Sequence, residues 1–277
     1  MSSTLPIVVT GVDTHAHVFR ADLPLVPGRR YSPDYDASVD SFLGHLNLHG
    51  VSHGVLVQPS FLGTDNSFMV AALRQHPSRL RGIAVVEPEI PDSELDQLAD
   101  AGVVGIRLNL VGKALGGFTT KAWRQLFERI AARDWQVEIQ RSAEDIAEIA
   151  TPVLESGATV VIDHFGLPED GNEKPAPMHH ALLDLLAHGR IWMKLSAAYR
   201  SGMNLTRAGH VLKQIRSAGL EHDRWLWGSD WPHTRHESEQ SYADQWRFLQ
   251  QLIPDHAERS KVLIDNPSRL FRIDTAS

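Results

Sequence analysis

The stretch WLWGSDWPH, residues 225–233, decides how the chain folds. Trp225 to Gly228 reads as a short buried strand, and the polar residues Ser229, Asp230 and His233 follow at its C-terminal end. Seven similar β-rich apolar runs precede it, at 7–13, 54–58, 80–86, 103–108, 136–140, 159–163 and 191–195, and a helical pattern separates each from the next. Strands alternating with helices predict a parallel sheet. If the run at 225–228 is the eighth strand, it lies beside the first and the sheet closes on itself.

The helix signals support this reading. In 119–134, Thr119 or Thr120 can cap, and Trp123, Phe127, Ile130 and Ala131 recur at spacings of three and four. Ser142 opens another helix with Ile146, Ile149 and Val153 on one side and Gly157 near its end. Eight βα units in 277 residues without a repeat, linker or low-complexity tract predict one domain, residues 1–277, folded as an α/β (β/α)8 TIM barrel. The competing architecture is an open doubly wound sheet, which normally carries a Gly-rich phosphate loop after its first strand; none is present here.

The composition is that of a globular chain, 42% hydrophobic and 22% charged. With no cysteine, thiolate catalysis, disulfides and iron–sulfur clusters are excluded. A formal net charge of -7 without a basic stripe argues against nucleic acid as a partner. No apolar run reaches the length of a membrane span and the N-terminus does not read as a signal peptide, so a cytoplasmic protein is expected. Oligomeric state is left open, a homodimer included.

In a barrel, chemistry sits at the C-terminal strand ends. Polar residues crowd there: Asp13, His15 and His17 on strand one, Gln58 on strand two, Arg107 and Asn109 on strand four, and Glu138 and Gln140 on strand five. Asp163 and His164 follow on strand six, Ser196, Tyr199 and Arg200 on strand seven, and Asp230 and His233 on strand eight. A single strand-end histidine such as His164 reads equally well as a hydrogen-bonded structural residue. The whole set does not, because burying so many ionisable groups without function carries a large desolvation cost.

The motifs DTHAHVF (13–19), GIRLNL (105–110), DHFG (163–166), KLSAAYR (194–200), WGSDWPH (227–233) and NPSRLF (266–271) together resemble the amidohydrolase superfamily (amidohydrolase-related family 2), in its branch of 2-pyrone-4,6-dicarboxylate lactonases and related sugar lactonases. The resemblance spans Val12 to Phe271. It implies a distorted barrel and a carboxylic ester hydrolase that opens a lactone ring. It further implies that Asp230 acts on the hydrolytic water, that His15, His17 and His164 lie around the scissile carbonyl, and that Arg107 and Arg200 hold substrate carboxylates. Lys113 is expected to add a basic contact, and Tyr199 and Gln58 hydrogen bonds. One departure bears on the substrate. Where the lactonases carry an arginine after the strand-six histidine, this chain has Leu167. A less charged sugar-acid lactone is therefore as well matched as the pyrone dicarboxylate.

Metal-dependent members of the superfamily use a Lys or Glu on strand four and a His on strand five. Strand four here carries Arg107, a permanent cation, and strand five (DWQVEIQ) has no histidine. No required cofactor is expected. The alternative is a single divalent ion such as zinc on His15, His17, His164 and Asp230, with help from Glu138, in a metal-dependent amidohydrolase or nonoxidative decarboxylase. The long loops at 21–36 and 166–177 are expected either to pack over the barrel rim or to act as a lid.

Overall fold

The computed structural model describes residues 7–168 and 179–274. Its strands are β1 (Val12–Ala16), β2 (His53–Val57), β3 (Leu80–Ala84), β4 (Val103–Asn109), β5 (Gln136–Gln140), β6 (Thr159–Ile162), β7 (Ile191–Lys194) and β8 (Trp225–Leu226). They form one sheet in chain order, and each pair of neighbours is parallel. The segment after β8 returns to β1. Thr14 N–H donates to Trp227 O at 3.0 Å, Asp230 N–H to His15 O at 2.8 Å and His17 N–H to Trp231 O at 2.8 Å. These bonds make the sheet a nearly closed TIM barrel and rule out the open doubly wound alternative.

A helix follows each strand: α1 (Val39–Leu48), α2 (Ser67–Gln75), α3 (Asp92–Asp100), α4 (Lys121–Ala132), α5 (Ala143–Glu155), α6 (His180–Leu186), α7 (Leu205–Ser217) and α8 (Tyr242–Leu252). The apolar stripes predicted for α4 and α5 are buried, with Phe127 and Ile130 on one and Ile146, Ile149 and Val153 on the other. Ser142 stands at the N-cap of α5, yet its side chain makes no capping bond. No helix among the described residues is long and apolar enough to cross a membrane.

Every strand but β5 differs from the sequence reading at one or both ends, β1 the most. The first strand begins at Val12, five residues later than expected, because its pairing to β2 starts at Val12–His53 and Val8 is 64% exposed. His15 therefore lies inside the strand. The last strand is only Trp225–Leu226, since the chain beyond it bends across to β1.

Alternation along the strands sorts the barrel interior into levels. Val55, Val161, Trp192 and Leu226 form an apolar floor, closed by Phe271 and Ile273 from the C-terminal segment. One pleat further along, Asp163 and Lys194 continue the inward rows of β6 and β7, with Glu138 of β5 beside them in a charged layer. Val137, Ile139, Val160, Ile162 and Met193 face outward into the larger core under the helices.

His53 on β2 gives this fold a measurable pH dependence. It is buried, its Nδ1 lies 2.7 Å from Ser52 Oγ, and burial with Arg81 and Arg79 nearby lowers its pKa to about 4. The unfolded chain then binds a proton at this site between the ordinary histidine value and pH 4 that the folded chain does not. Stability contributed by the neutral imidazole is present above that window and lost as pH falls through it. We expect His53 to account for about 2 kcal/mol of lost stability between pH 7 and pH 5. Urea titrations at both pH values should show a smaller loss for His53→Gln than for the wild type; equal losses would rule this out.

Candidate active site

Turns at the ends of β6, β7 and β8 aim the site inward. His164, Phe165, Ala197, Asp230 and His233 all hold φ between 48° and 64°. Left-handed backbone at such residues costs about 1–3 kcal/mol each and persists only where surrounding contacts enforce it. Gly228 is required next to this turn, because a Cβ there would lie 2.5 Å from His15 Cβ and 2.8 Å from His15 N. That close approach of β8 to β1 brings Asp230 against the two histidines of HAH.

Asp230 sits at the centre. Its Oδ2 accepts hydrogen bonds from the Tyr199 hydroxyl and from Arg200 Nε at 2.7 Å, both carried by the short helical turn Ala198–Ser201 after β7. Its Oδ1 has no hydrogen-bond partner among the described residues and faces Nε2 of His15 and of His17 at 3.7 Å and Nε2 of His164 at 3.9 Å. These gaps are too long for direct hydrogen bonds. Nε2 of His15 and Nε2 of His164 also lack partners. The other ring nitrogens are engaged: His17 Nδ1 lies 2.7 Å from Val57 O, His164 Nδ1 2.9 Å from Ser196 Oγ, and His15 Nδ1 3.2 Å from Lys194 Nζ.

Beneath the histidines lies a buried ionic layer. Lys194 donates to Glu138 Oε2 at 2.6 Å and stands 3.4 Å from Asp163 Oδ1. Arg107 donates through Nε to Asp163 Oδ2 at 3.1 Å and through a terminal nitrogen to Gln140 Oε1 at 2.7 Å. Each charge has an opposite neighbour, so removing one member would leave an uncompensated buried charge, which typically costs about 3–5 kcal/mol.

The electrostatics keep the histidines neutral and Asp230 ionised. Burial lowers the pKa of His15 far below its ordinary value, lowers His17 as well, and takes His164 to about 4. Burial alone would raise Asp230, but the charge of Arg200 beside it holds it well below the usual carboxylate range. Glu138 is pushed up to about 7 by burial against the pull of Lys194.

Above this floor opens a cavity walled by Arg30, Arg107, Arg200 and Arg235, with Tyr31, Ser60, Asn109, Gln140 and Thr234 between them. Burial and the three other guanidiniums lower the pKa of Arg30, so Arg30 senses the other three across the opening. Arg30 and Tyr31 belong to the loop expected to cover the rim. That loop is pinned at its neck by the Phe19–Ala37 bridge, and the Tyr31 and Tyr35 hydroxyls donate to Glu237 in the segment after β8. It forms part of the cavity wall. The second expected rim loop lies outside the described residues from 169 onward.

The family model described as amidohydrolase matches residues 12–273. The chain belongs to this family. It is 33% identical to a 2-pyrone-4,6-dicarboxylate hydrolase of Comamonas testosteroni over 276 residues, covering 94% of this chain and 89% of the relative. It is 30% identical, with the same coverage, to a 4-sulfomuconolactone hydrolase of Rhizobium radiobacter. Among solved structures it resembles a probable 2-pyrone-4,6-dicarboxylic acid hydrolase of Acinetobacter baumannii, solved with citric acid bound, at a TM-score of 0.89 and 38% identity over 95% of this chain and 99% of the other.

Two groups of side chains in this amidohydrolase could hold a divalent ion. His15, His17 and Asp230 each offer one ligand atom, all within 4.8 Å of one another, as do His15, Asp163 and His164. The unpartnered Oδ1 and Nε2 atoms are the donor types that zinc takes.

Of the residues singled out in the sequence, His15, His17, His164, Asp230, Arg107, Tyr199 and Arg200 come together. Gln58 does not join them, although it is buried at the end of β2. Its amide nitrogen donates to Gly63 O at 3.2 Å and Asp65 O at 2.8 Å, bracing the loop after that strand. Lys113 is exposed and outside the residues that line the cavity, because the Gly-rich loop carrying it runs over the surface. The sequence reading gave no individual role to Lys194, Arg30 or Arg235. A lysine within the buried run IWMKLS was a usable signal, since lysine is rarely buried unpaired. Arg30 and Arg235 lie in irregular segments, where no periodicity reveals which way a side chain points.

Proposed function

We propose that the chain is a carboxylic ester hydrolase that opens the ring of an anionic lactone, with Asp230 as the base and without a required metal. The observation that carries this reading is the free Asp230 Oδ1 facing three neutral imidazoles at the floor of an arginine-walled cavity. Water at Asp230 Oδ1 loses a proton to the carboxylate as its oxygen bonds to the lactone carbonyl carbon. His15, His17 and His164 surround the reacting centre, and an N–H donor there stabilises the developing oxyanion. Collapse of the tetrahedral intermediate breaks the ring C–O bond, and the leaving oxygen takes up the proton. Water is consumed and a hydroxy acid, or its keto tautomer, is released.

Four guanidiniums around one cavity favour a substrate with two acid groups. Arg30 and Arg235 offset the missing arginine at Leu167, so the cation count favours a dicarboxylate or a sulfo-carboxylate lactone over a singly charged sugar-acid lactone. The names of the two curated relatives support the same class.

The converging donors also support a metal-dependent reading. A bound divalent ion would be held by His15, His17 and Asp230 and would supply Lewis-acid polarisation of the carbonyl. Arg107, Lys194 and Arg200, packed around those donors, oppose a further positive charge there. The two readings separate in one experiment: metal analysis of protein purified without added metal, followed by assay of a pyrone and sugar-acid lactone panel after exhaustive chelation. Undiminished turnover supports the metal-free reading. Activity that disappears with chelator and returns with zinc refutes it.

A further inference from the structure

Lys194 takes no part in the mechanism above, yet it is fully buried and points at the back of His15. Two groups compete for His15 Nδ1. Lys194 Nζ, at 3.2 Å and within hydrogen-bonding geometry, can only donate when charged. Asp163 Oδ1, at 3.4 Å, can only accept when ionised; it lies outside hydrogen-bonding geometry but close enough to act on the ring. The Nδ1 contact is therefore the one to Lys194, with His15 as acceptor. His17 is in the opposite position. Its Nδ1 lies 2.7 Å from the carbonyl oxygen of Val57, which can only accept, so that nitrogen carries the proton.

We propose that Lys194 is a positioning residue that fixes His15 with its proton on Nε2, so that the two histidines of HAH present opposite faces to the site: a donor at His15 Nε2 and a lone pair at His17 Nε2. A neutral imidazole holds one proton, so the partner at Nδ1 dictates the state of Nε2. Asp230 Oδ1 and His17 Nε2 then offer two acceptors for the two protons of an attacking water, and His15 Nε2–H is the donor for the carbonyl oxygen. Two acceptors fix the orientation of the water; one would leave it free to rotate. While Lys194 donates, His15 Nε2 has no lone pair for a cation.

The kinetic consequence rests on the lactone-hydrolase reading; the proton positions do not, and they can be read in the resting protein. Protein labelled with 15N-histidine, with resonances assigned by comparison with His15→Gln and His17→Gln, should show His15 protonated at Nε2 and His17 at Nδ1 at neutral pH. A proton on His15 Nδ1 in the wild type overturns the proposal, whatever the substrate proves to be. In Lys194→Met the His15 proton should move to Nδ1, toward Asp163, and kcat on the lactone that the wild type turns over should fall about 100-fold, the low end for losing one oxyanion donor, with KM within a few-fold. A moved proton with unchanged kcat overturns the catalytic role of Lys194. If the variant does not fold, the wild-type spectrum decides the proton position alone.

Discussion

Asp230→Asn is expected to lower kcat by about 1,000-fold, within the range typical of a positioned general base, while the barrel stays folded. The amide has the volume of the carboxylate, and its carbonyl oxygen can still accept from Tyr199 and Arg200 in the place of Oδ2. Its nitrogen then occupies the place of Oδ1 and presents N–H groups to water, so the proton of the nucleophile has nowhere to go. Loss of the negative charge beside Arg200 also leaves a buried guanidinium without its counter-ion, so some stability is lost as well. Steady-state kinetics alongside a thermal melt followed by circular dichroism separate the two effects. A folded variant within tenfold of the wild-type kcat would remove Asp230 as the base.

The second large effect is expected at Arg200. Its guanidinium donates to Asp230 Oδ2 at 2.7 Å and also lines the cavity, so it holds the base in place and faces the acid groups of the substrate. Hydrogen bonds to charged groups contribute about 1.5–3 kcal/mol each. Losing two of them in Arg200→Met, at the lower end of that range, should cost about 3–4 kcal/mol of transition-state stabilisation, or about 100- to 1,000-fold in kcat/KM. The loss should be largest for a lactone with two acid groups and smaller for an uncharged lactone of similar reactivity. Equal losses on both would confine Arg200 to positioning Asp230 and would argue against the anionic substrate class.

The strand-end polar residues were legible for a simple reason. Residues two apart along a strand share a face, so Glu138 and Gln140 of β5, and Asp163 two residues past Val161 of β6, occupy inward rows that the alternation shows directly. The helices were legible by the same logic at a different period. Strand ends were harder to place, since β1 begins where pairing with β2 begins and not where the apolar run begins. Gln58 shows the limit of reasoning from strand ends. It lies in the expected place, but the backbone carbonyls of the following loop capture its amide, and only the path of that loop reveals it.

The sequence by itself determined the eight-unit barrel, the ring of polar strand ends and the gathering of HAH, DH and SDWPH near one another, because hydrophobic period and chain order are local properties. The tertiary structure decided three further things. It selected which oxygen of Asp230 is free, since Tyr199 and Arg200 reach the other from a different strand end. It brought Arg30 and Arg235 from irregular segments to the cavity wall. It also set Lys194 of β7 behind His15 of β1, residues 179 positions apart, where the partner of one ring nitrogen governs what the other can do.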